Sequence, residues 1–582
     1  MRLDPDNRAL GSPEWTAAAP PTGFNARKQA RPGDSGQHHR TALRRLPALV
    51  RTSARLLGFA LVSLAMLTQA VQAKGGVGGG GGAVPGAAPL SVGPATLPGG
   101  PAPFDIVGAI QSFSVLLPNN LFSGGMIVVN GISVLIPTNL VVTLPAAYKT
   151  VGQLFIESPV AGQSALALTD LPAPIAAYEA TISGNIVGGQ YIAGLVSISQ
   201  QSLNTANGYI RSINYSTGEL CVGRTPGTLC AATDARVVIN DPDGRYGLAN
   251  GTVAGALGKA KLDARFTVDA DNPTIHARSG YPMCVPRVDP LSGVVDPRCP
   301  IGNRPTVLGA YVPLFVMDSI PQTPPAIFAG RVGTIPACGS VTATNCNVNE
   351  QAPLVVGDYI TYSGILARDN LGIYVAAYSL EANVGIYTPL GGPVFYMYVD
   401  APLISTGPAA CPANAECQAR LKTSIFMTDA NRTPALYAVD EDRLGGRTSR
   451  VLPSTITNTA VYGRFVIVVN KDVAVLGAAN GVTREIMGRV AGVPDGTPVF
   501  YGPAPLKAVS GTANGLVFGQ YVSPVGSYIF PEPNVAGGIL TPYNFRCLAF
   551  LAKGWAQGGV LPVGQPIPFP EAQAPQTVNC GT

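Results

Sequence analysis

Histidine and tryptophan are nearly absent from this 582-residue chain, which has three His and two Trp, and only 12% of its residues are charged. His38 and His39 precede the apolar run at 56–71, so only His276 could be the base of a hydrolase triad, and no Gly-x-Ser-x-Gly elbow supplies a serine. The chain has no HExxH zinc motif, and GALGKA lacks both the first Gly and the final Ser/Thr of a P-loop. These absences exclude several common enzyme chemistries.

The sequence also lacks a basic cluster after its N-terminal region. Subtracting the 10 Lys/Arg and 4 Asp/Glu of residues 1–73 from the totals of 38 and 33 leaves 28 basic and 29 acidic residues, a net charge of −1. Proteins that bind nucleic acid normally carry a basic surface patch. We therefore expect no nucleic-acid partner.

Residues 51–73 are typical of a secretory signal peptide. Arg51 and Arg55 precede the apolar run, and the small residues near its end predict cleavage between Ala73 and Lys74. The run is short for a membrane helix of about 20 residues. An uncleaved anchor is the alternative, and it would be the chain's only expected membrane contact. Because the preceding 50 residues are polar and Pro-rich, initiation nearer Val50 is favoured. We expect a secreted protein in an extracellular or periplasmic location.

The ten cysteines all follow residue 220 and predict a disulfide framework. Structural zinc sites use Cys-x₂₋₄-Cys knuckles, whereas the closest two cysteines here have five residues between them, so zinc is disfavoured. The cysteines fall into consecutive couples, which makes nearest-neighbour pairing the simplest connectivity. The predicted pairs are Cys221–Cys230, Cys284–Cys299, Cys338–Cys346, Cys411–Cys417 and Cys547–Cys580.

Glycine and proline are abundant, at 69 and 53 residues. Short Val/Ile/Tyr/Thr runs cut by Gly, Pro and Asn indicate turn-rich antiparallel sheet. The predicted fold class is all-β, with little helix apart from the leader. In SGGMIVVNGISVLIPTN, residues 123–139, the pair Asn130-Gly131 predicts a type I′ hairpin in which Val129 faces Ile132.

Weak internal repeats predict one small β-module used several times. GGQYIAG (188–194) and VGDYITYSG (356–364) look like the same strand start, and turns recur every 8–12 residues, which favours tandem five-stranded OB-like barrels, with β-sandwiches as the alternative. Segments 234–247 and 263–287 look like loops held by a disulfide. The predicted division is an N-terminal extension and signal peptide at 1–73, a Gly/Pro-rich linker at 74–103, β-modules at 104–200, 201–345 and 346–480, and a C-terminal β-region and tail at 481–582.

The phrases VNGISVLIPTN, DARVVINDPDGRYG, RFTVDADNPTIHARSGYPMCVPR, VGDYITYSG and EANVGIYT resemble a family of secreted β-rich proteins found in filamentous fungi and some bacteria. The resemblance runs from about residue 104 to residue 560. It implies secretion and β-structure. The family has no established activity, so the resemblance assigns no functional residue.

Carboxylates are the remaining candidates for chemistry. Asp241, Asp243, Asp269 and Asp271 are clustered in sequence, as a calcium site or a glycosidase would require. Asp-Pro-Asp-Gly is also an ordinary type I turn, and DPDGRYGLANGT departs from the EF-hand pattern at positions 5, 6 and 12. The sequence therefore favours a turn over a calcium site at these residues. Calcium is the only cofactor that the residues suggest. Asp440, Glu441 and Asp442 form a second acidic group.

A binding surface is expected on segment 234–287, because functional groups collect on loops carried by rigid scaffolds. Mixed Asp, Arg and Tyr side chains could recognise a glycan or a peptide edge, although a self-paired loop has the same composition. Besides the acids already named, the candidates are Asp234, Arg236, Arg245, Tyr246, His276, Arg278 and Tyr281.

Two functions remain open. The favoured one is a secreted or cell-surface, non-catalytic β-barrel protein that binds a surface polymer, another protein or itself. The alternative is a carboxylate-dependent glycan-active enzyme. Only Trp555 survives removal of the leader, which weakens the alternative, although 21 Tyr residues could stack on sugars.

Overall fold

A computed structural model describes residues 102–138, 140–200, 205–249, 262–269, 272–325, 333–341, 346–405, 420–441, 447–458, 461–469, 482–490, 512–513, 516–524 and 527–529. These residues are nearly all β, which confirms the predicted fold class. The helices among them are short: Val151–Ile156 and Cys338–Val341 are α-helical, and Ala264–Phe266, Pro290–Ser292 and Ile301–Asn303 are 3₁₀ turns. The leader, the cleavage site at Ala73 and Lys74, residues 74–101 of the Gly/Pro-rich linker, Asp271, Asp442 and the cysteines at 411, 417, 547 and 580 lie outside the described residues. Residues 102 and 103 of the predicted linker belong to β1.

The described strands are numbered in chain order. They are β1 (Ala102–Val115), β2 (Gly125–Val129), β3 (Ile132–Ile136), β4 (Val141–Leu144), β5 (Ala147–Thr150), β6 (Glu179–Val187), β7 (Gln190–Ser199), β8 (Thr205–Asn214), β9 (Glu219–Gly223), β10 (Ala235–Ile239), β11 (Ile275–Ala277), β12 (Met283–Cys284), β13 (Thr306–Val307), β14 (Ala310–Tyr311), β15 (Leu314–Val316), β16 (Ala352–Pro353), β17 (Tyr359–Asp369), β18 (Gly372–Ala382), β19 (Gly385–Tyr387), β20 (Met397–Ser405), β21 (Arg420–Met427), β22 (Pro434–Glu441), β23 (Arg447–Leu452), β24 (Ser454–Asn458), β25 (Arg464–Val469), β26 (Val482–Val490), β27 (Thr512–Ala513), β28 (Leu516–Val517), β29 (Gln520–Pro524) and β30 (Ser527–Ile529).

The first sheet closes into a five-stranded barrel, here called barrel 1. Its strand order is β3-β2-β1-β6-β7, and β3 closes the ring by pairing in parallel with β7. Strands β4 and β5 extend the sheet beyond β7. The Asn130-Gly131 turn joins β2 to β3, with both residues at positive φ and Val129 paired with Ile132, so the predicted hairpin is confirmed.

A second ring, barrel 2, has the same topology. Its order is β10-β9-β8-β17-β18, and β10 closes it by pairing in parallel with β18. More than 100 residues separate the end of β10 from the start of β17. The loops and small sheets between them are therefore an insertion between the third and fourth strands of this barrel. The parallel pairing of the third and fifth strands, with the other pairs antiparallel, is the OB-like arrangement expected from the sequence.

The two barrels share irregularities as well as topology. A β-bulge interrupts the first strand after Ile110 in GAIQS and after Ile210 in GYIRS. A second bulge is on the fifth strand, opposite Ser183-Gly184 in barrel 1 and opposite Ser363-Gly364 in barrel 2. Bulges are specific features that bend a strand, so their recurrence indicates that barrels 1 and 2 are two copies of one unit.

Two sequence interpretations need correction at this level. GGQYIAG leads into the fifth strand of barrel 1, whereas VGDYITYSG opens the fourth strand of barrel 2, so these phrases are not equivalent. Segment 234–247, expected to be a loop, contains β10. The run Val237–Ile239 is buried on both faces, because Val237 and Ile239 fill barrel 2 while Val238 packs against barrel 1. Burial on both faces removes the alternation by which strands are recognised.

Nine of the later strands form two packed sheets, the alternative architecture that the sequence left open. One sheet has the order β24-β25-β21-β20-β30 and the other β23-β22-β26-β29. Their facing side chains, among them Ile425, Ile467, Leu436 and Ile486, share one hydrophobic core. This unit is a β-sandwich, and Asp440 and Glu441 lie on its strand β22.

Candidate functional site

Asp241 lies just after β10, and the structure explains why a carboxylate stands there. The N–H of Gly244 donates to the Asp241 carbonyl oxygen at 3.4 Å and closes the Asp-Pro-Asp-Gly turn, and the N–H of Tyr246 donates to Asp241 Oδ2 at 2.6 Å and holds the segment that follows it. Asp241 is almost fully buried. Burial raises its pKa, although the backbone of Tyr246 and the guanidinium groups of Arg245 and Arg287 oppose that rise.

Of the other predicted metal ligands, the structure describes Asp243 and Asp269, and neither forms a metal-type cluster with Asp241. Asp243 is exposed and forms an ion pair with Arg245 at 3.5 Å. The Oδ2 atom of Asp269 accepts a 2.7 Å hydrogen bond from Asn272. Asn272 also bonds through its amide to both backbone groups of Val522 on β29. Asp269 therefore supports the contact between barrel 2 and the sandwich.

Most ion pairs of the described residues join an acid to an arginine. Arg304 and Asp358 form a buried bidentate pair with N–O distances of 2.7 and 2.8 Å. Arg236 bridges Glu219 and Asp369, which ties β10 to its neighbours. The remaining pairs are Lys149–Glu157, Arg211–Asp234, Arg245–Asp243, Arg265–Asp263, Arg287–Asp296 and Arg432–Asp429.

His276 is buried at the junction of barrel 2 and the sandwich. Its ring lies 4.5 Å from the ring of Tyr398 on β20, and Nδ1 is 2.8 Å from the carbonyl oxygen of Ala277. Burial lowers the pKa of His276, an effect that Glu381 and the Ala277 carbonyl only partly offset. We therefore interpret the buried imidazole of His276, which packs on the ring of Tyr398, as a structural group. The predicted candidates Tyr246 and Tyr281 are likewise fully buried, while Arg278 contacts Asn383 at the surface.

Three disulfides occur among the described cysteines, and all three are predicted pairs: Cys221–Cys230, Cys284–Cys299 and Cys338–Cys346. Disulfides persist in oxidising environments, so these bonds indicate an extracellular type of compartment. Asp234 lies beside the first disulfide, but the two sulfur atoms are bonded to each other and its Oδ2 accepts from Arg211 and from the N–H of Ala231. Cys221, Cys230 and Asp234 therefore hold this loop in place and are not metal ligands in this arrangement.

A small pocket opens where the β8–β9 turn meets the end of β10. Asp241 and Thr217 line it, and both Asp241 Oδ1 and Thr217 Oγ1 are buried without a hydrogen-bond partner among the described residues. The other lining residues are Gly218, Val238, Ile239, Gly247, Leu248 and Val285. Buried polar atoms are nearly always paired, so this pocket is the strongest candidate site.

Tyr215 and Tyr311 were not among the residues predicted from the sequence. Tyr215 belongs to the same turn as Thr217, and Tyr311 is on β14, where the guanidinium carbon of Arg304 lies 5.4 Å from its ring centroid. Partial burial raises the pKa of Tyr215, and Tyr311 and Asp289 raise it further. Neither tyrosine lines the pocket. The span from Tyr215 to Tyr311 is 97 residues of chain, so no local motif could reveal that the two interact.

Comparison of the sequence with protein-family models and curated proteins, and of the fold with solved structures, found no match. Among the described residues, no helix is both long and apolar enough to cross a bilayer. The function must therefore be inferred from the geometry of the site itself.

Proposed function

We propose that this chain is a secreted, non-catalytic binding protein that presents two OB-like barrels and a β-sandwich at an extracellular surface. The observation that carries the proposal is the pairing of its carboxylates with arginines. Eight of the nine ion pairs of the described residues use a guanidinium group. These pairs tie strands and loops together, which is a structural use of charge.

The same pairing argues against the alternative of a glycan-cleaving enzyme. Such an enzyme needs two carboxyl groups about 5–9.5 Å apart across an open cleft, one of them protonated at working pH. A neighbouring guanidinium keeps a carboxyl group ionised. The pKa of Asp234, for example, is lowered chiefly by the Ala231 N–H and further by Arg211. Asp241, whose pKa is raised, lines a pocket that none of the other described acids lines.

Secretion is supported by the predicted signal peptide together with the disulfides of barrel 2. We expect expression of the full gene in a secreting host to release protein that begins at Lys74, and deletion of residues 1–49 to leave export intact. N-terminal sequencing of the released protein measures this. Recovery of a chain that retains residues 56–71 in the membrane fraction would instead support the uncleaved anchor.

Binding without turnover is tested with one set of samples. Purified protein is incubated with insoluble cellulose, chitin, peptidoglycan and xylan, and with an extracellular protein fraction coupled to beads. The pelleted protein and the reducing ends released into solution are both measured. The proposal expects saturable pelleting with at least one of these materials and no release of reducing ends. Enzyme-dependent release from any polysaccharide would refute the non-catalytic assignment.

A further inference from the structure

The strand β24 lies at one end of its sheet in the sandwich. On one side it pairs with β25, from Ser454 opposite Val469 to Asn458 opposite Phe465. Among the described residues, no other backbone group bonds to residues 454–458. In an antiparallel pair, alternate residues direct their N–H and C=O groups away from the partner strand. The outer side of β24 therefore presents backbone donors and acceptors that no described residue satisfies.

The other three end strands of the sandwich are protected against pairing with another chain. β23 carries Arg447 and Arg450, and β30 has only three residues. On β29, the side chain of Asn272 bonds to both backbone groups of Val522. Charge, short length and covering groups are the usual devices that prevent such pairing. β24 reads STITN and contains no charge and no proline, and its pairing with β25 has no bulge.

The side chains of β24 suit a strand that continues the sheet outwards. Thr455 and Thr457 are exposed, whereas Ile456 between them is partly buried against the core of the sandwich. All three residues are β-branched, and such residues are enriched in strands because they fit a pleated surface. A strand added outside β24 would therefore extend a polar outer face and an apolar inner face.

The sequence of β24 indicates which strand fits there. Thr455 and Thr457 are symmetric about Ile456. If a second copy pairs antiparallel with Ile456 opposite Ile456, each Thr455 lies opposite Thr457 of the other copy. Cross-strand Thr pairs stabilise a sheet, and no charge meets a like charge. A two-fold interface needs such self-complementarity, because the same patch supplies both sides. A strand from a different protein would find no charge on β24 to select it.

We propose that two copies of this chain pair along β24, in antiparallel register about Ile456, and so join their sheets into one. A single pair of five-residue strands is a small contact, so the dimer belongs to the weak class, with a micromolar dissociation constant. This inference goes beyond the proposed function. A dimer carries every binding surface twice, which strengthens attachment to a repetitive surface without any new contact.

Sedimentation velocity of the mature protein, over about a hundredfold range of concentration, measures the dimer. In the double variant Thr455→Lys with Thr457→Lys, lysines of the two copies lie opposite each other at two places. Like charges directly opposite destabilise a strand pair, so we expect the dissociation constant to rise about tenfold or more. The control is Ser114→Lys with Ser133→Lys, at exposed positions on strands of the closed ring of barrel 1, and it should dimerise like wild type. Thermal melting at low concentration verifies that both variants are folded.

A charge exchange tests the register. The double variant Thr455→Glu with Thr457→Glu should also lose the dimer, but mixing it with the lysine variant places Glu opposite Lys at both positions. The proposal expects the mixture to form mixed dimers at concentrations where each variant alone is monomeric. A wild-type protein that stays monomeric at the highest concentration would overturn the proposal. So would full dimerisation of the lysine variant, or a mixture that stays monomeric.

Discussion

Gly184 and Gly364, which lie opposite the bulges of the fifth strands, give a quantitative test of the relation between the barrels. A Cβ atom added to Gly184 would lie 2.2 Å from the carbonyl oxygen of Ile192, and one added to Gly364 would lie 2.3 Å from that of Ala376. In each barrel the obstructing atom is backbone on the adjacent fifth strand. Real Cβ atoms do not approach so closely, so the strand itself must move to accommodate alanine.

The expected loss follows from this geometry. Overpacking a well-packed core typically costs about 1–3 kcal/mol, and a backbone obstruction belongs at the upper end, because no side chain can rotate away. We expect Gly184→Ala and Gly364→Ala each to lower the free energy of unfolding by about 3 kcal/mol. At about 2–4 °C per kcal/mol for a domain of 150–250 residues, the melting temperature should fall by roughly 6–12 °C.

Urea denaturation at pH 7, followed by circular dichroism, measures both variants. Gly227→Ala is the control, since its nearest neighbour would be Arg211 Nε at an ordinary 3.5 Å, and it should stay within about 0.5 kcal/mol of wild type. If Gly184→Ala and Gly364→Ala also stayed within that limit, the packing argument would be refuted. A large loss in only one of them would show that the barrels differ at this position.

Three further predictions concern charge and covalent structure. Asp241→Asn should be more stable than wild type at pH 7, with the difference shrinking as the pH falls towards 4, because the raised pKa of Asp241 means that its buried charge opposes folding; denaturation at both pH values measures this. His276→Phe should remove part of the acid sensitivity, since the lowered pKa of His276 lets the unfolded chain take up a proton below about pH 6.5 that the folded chain refuses. Parallel melting curves from pH 7 to 5 would contradict that reasoning. Non-reducing peptide mapping should recover Cys221–Cys230 and Cys284–Cys299, and a link from Cys221 to Cys299 would contradict the fold.

Local signals predicted the fold well. The Asn130-Gly131 turn and the consecutive cysteine couples act over short distances, so the residues alone determine them. Strand β10 was missed because it is buried on both faces and has no alternation. The order of strands in barrel 2 was also hidden, because β17 comes more than 100 residues after its partner β8. Long-range pairing of this kind leaves no mark in a local pattern.

The candidate site shows the same limit. The sequence singled out Asp241 as part of a turn, with calcium as the less favoured reading, and the structure pairs Asp243 with Arg245 and Asp269 with Asn272. Thr217 belongs to an ordinary turn, so the sequence gives no separate signal for it. It lines the same pocket as Asp241 because β9 and β10 are neighbours in a closed ring. Only the closed barrel brings this chemistry together.

Binding without turnover is the central claim, and one titration tests it most directly. Increasing amounts of the wild-type protein are incubated with the polysaccharide that pellets it most strongly, and the bound protein and the reducing ends released into solution are measured after a day at the same temperature. The account predicts saturable binding and no new reducing ends. New reducing ends in proportion to the protein would contradict it.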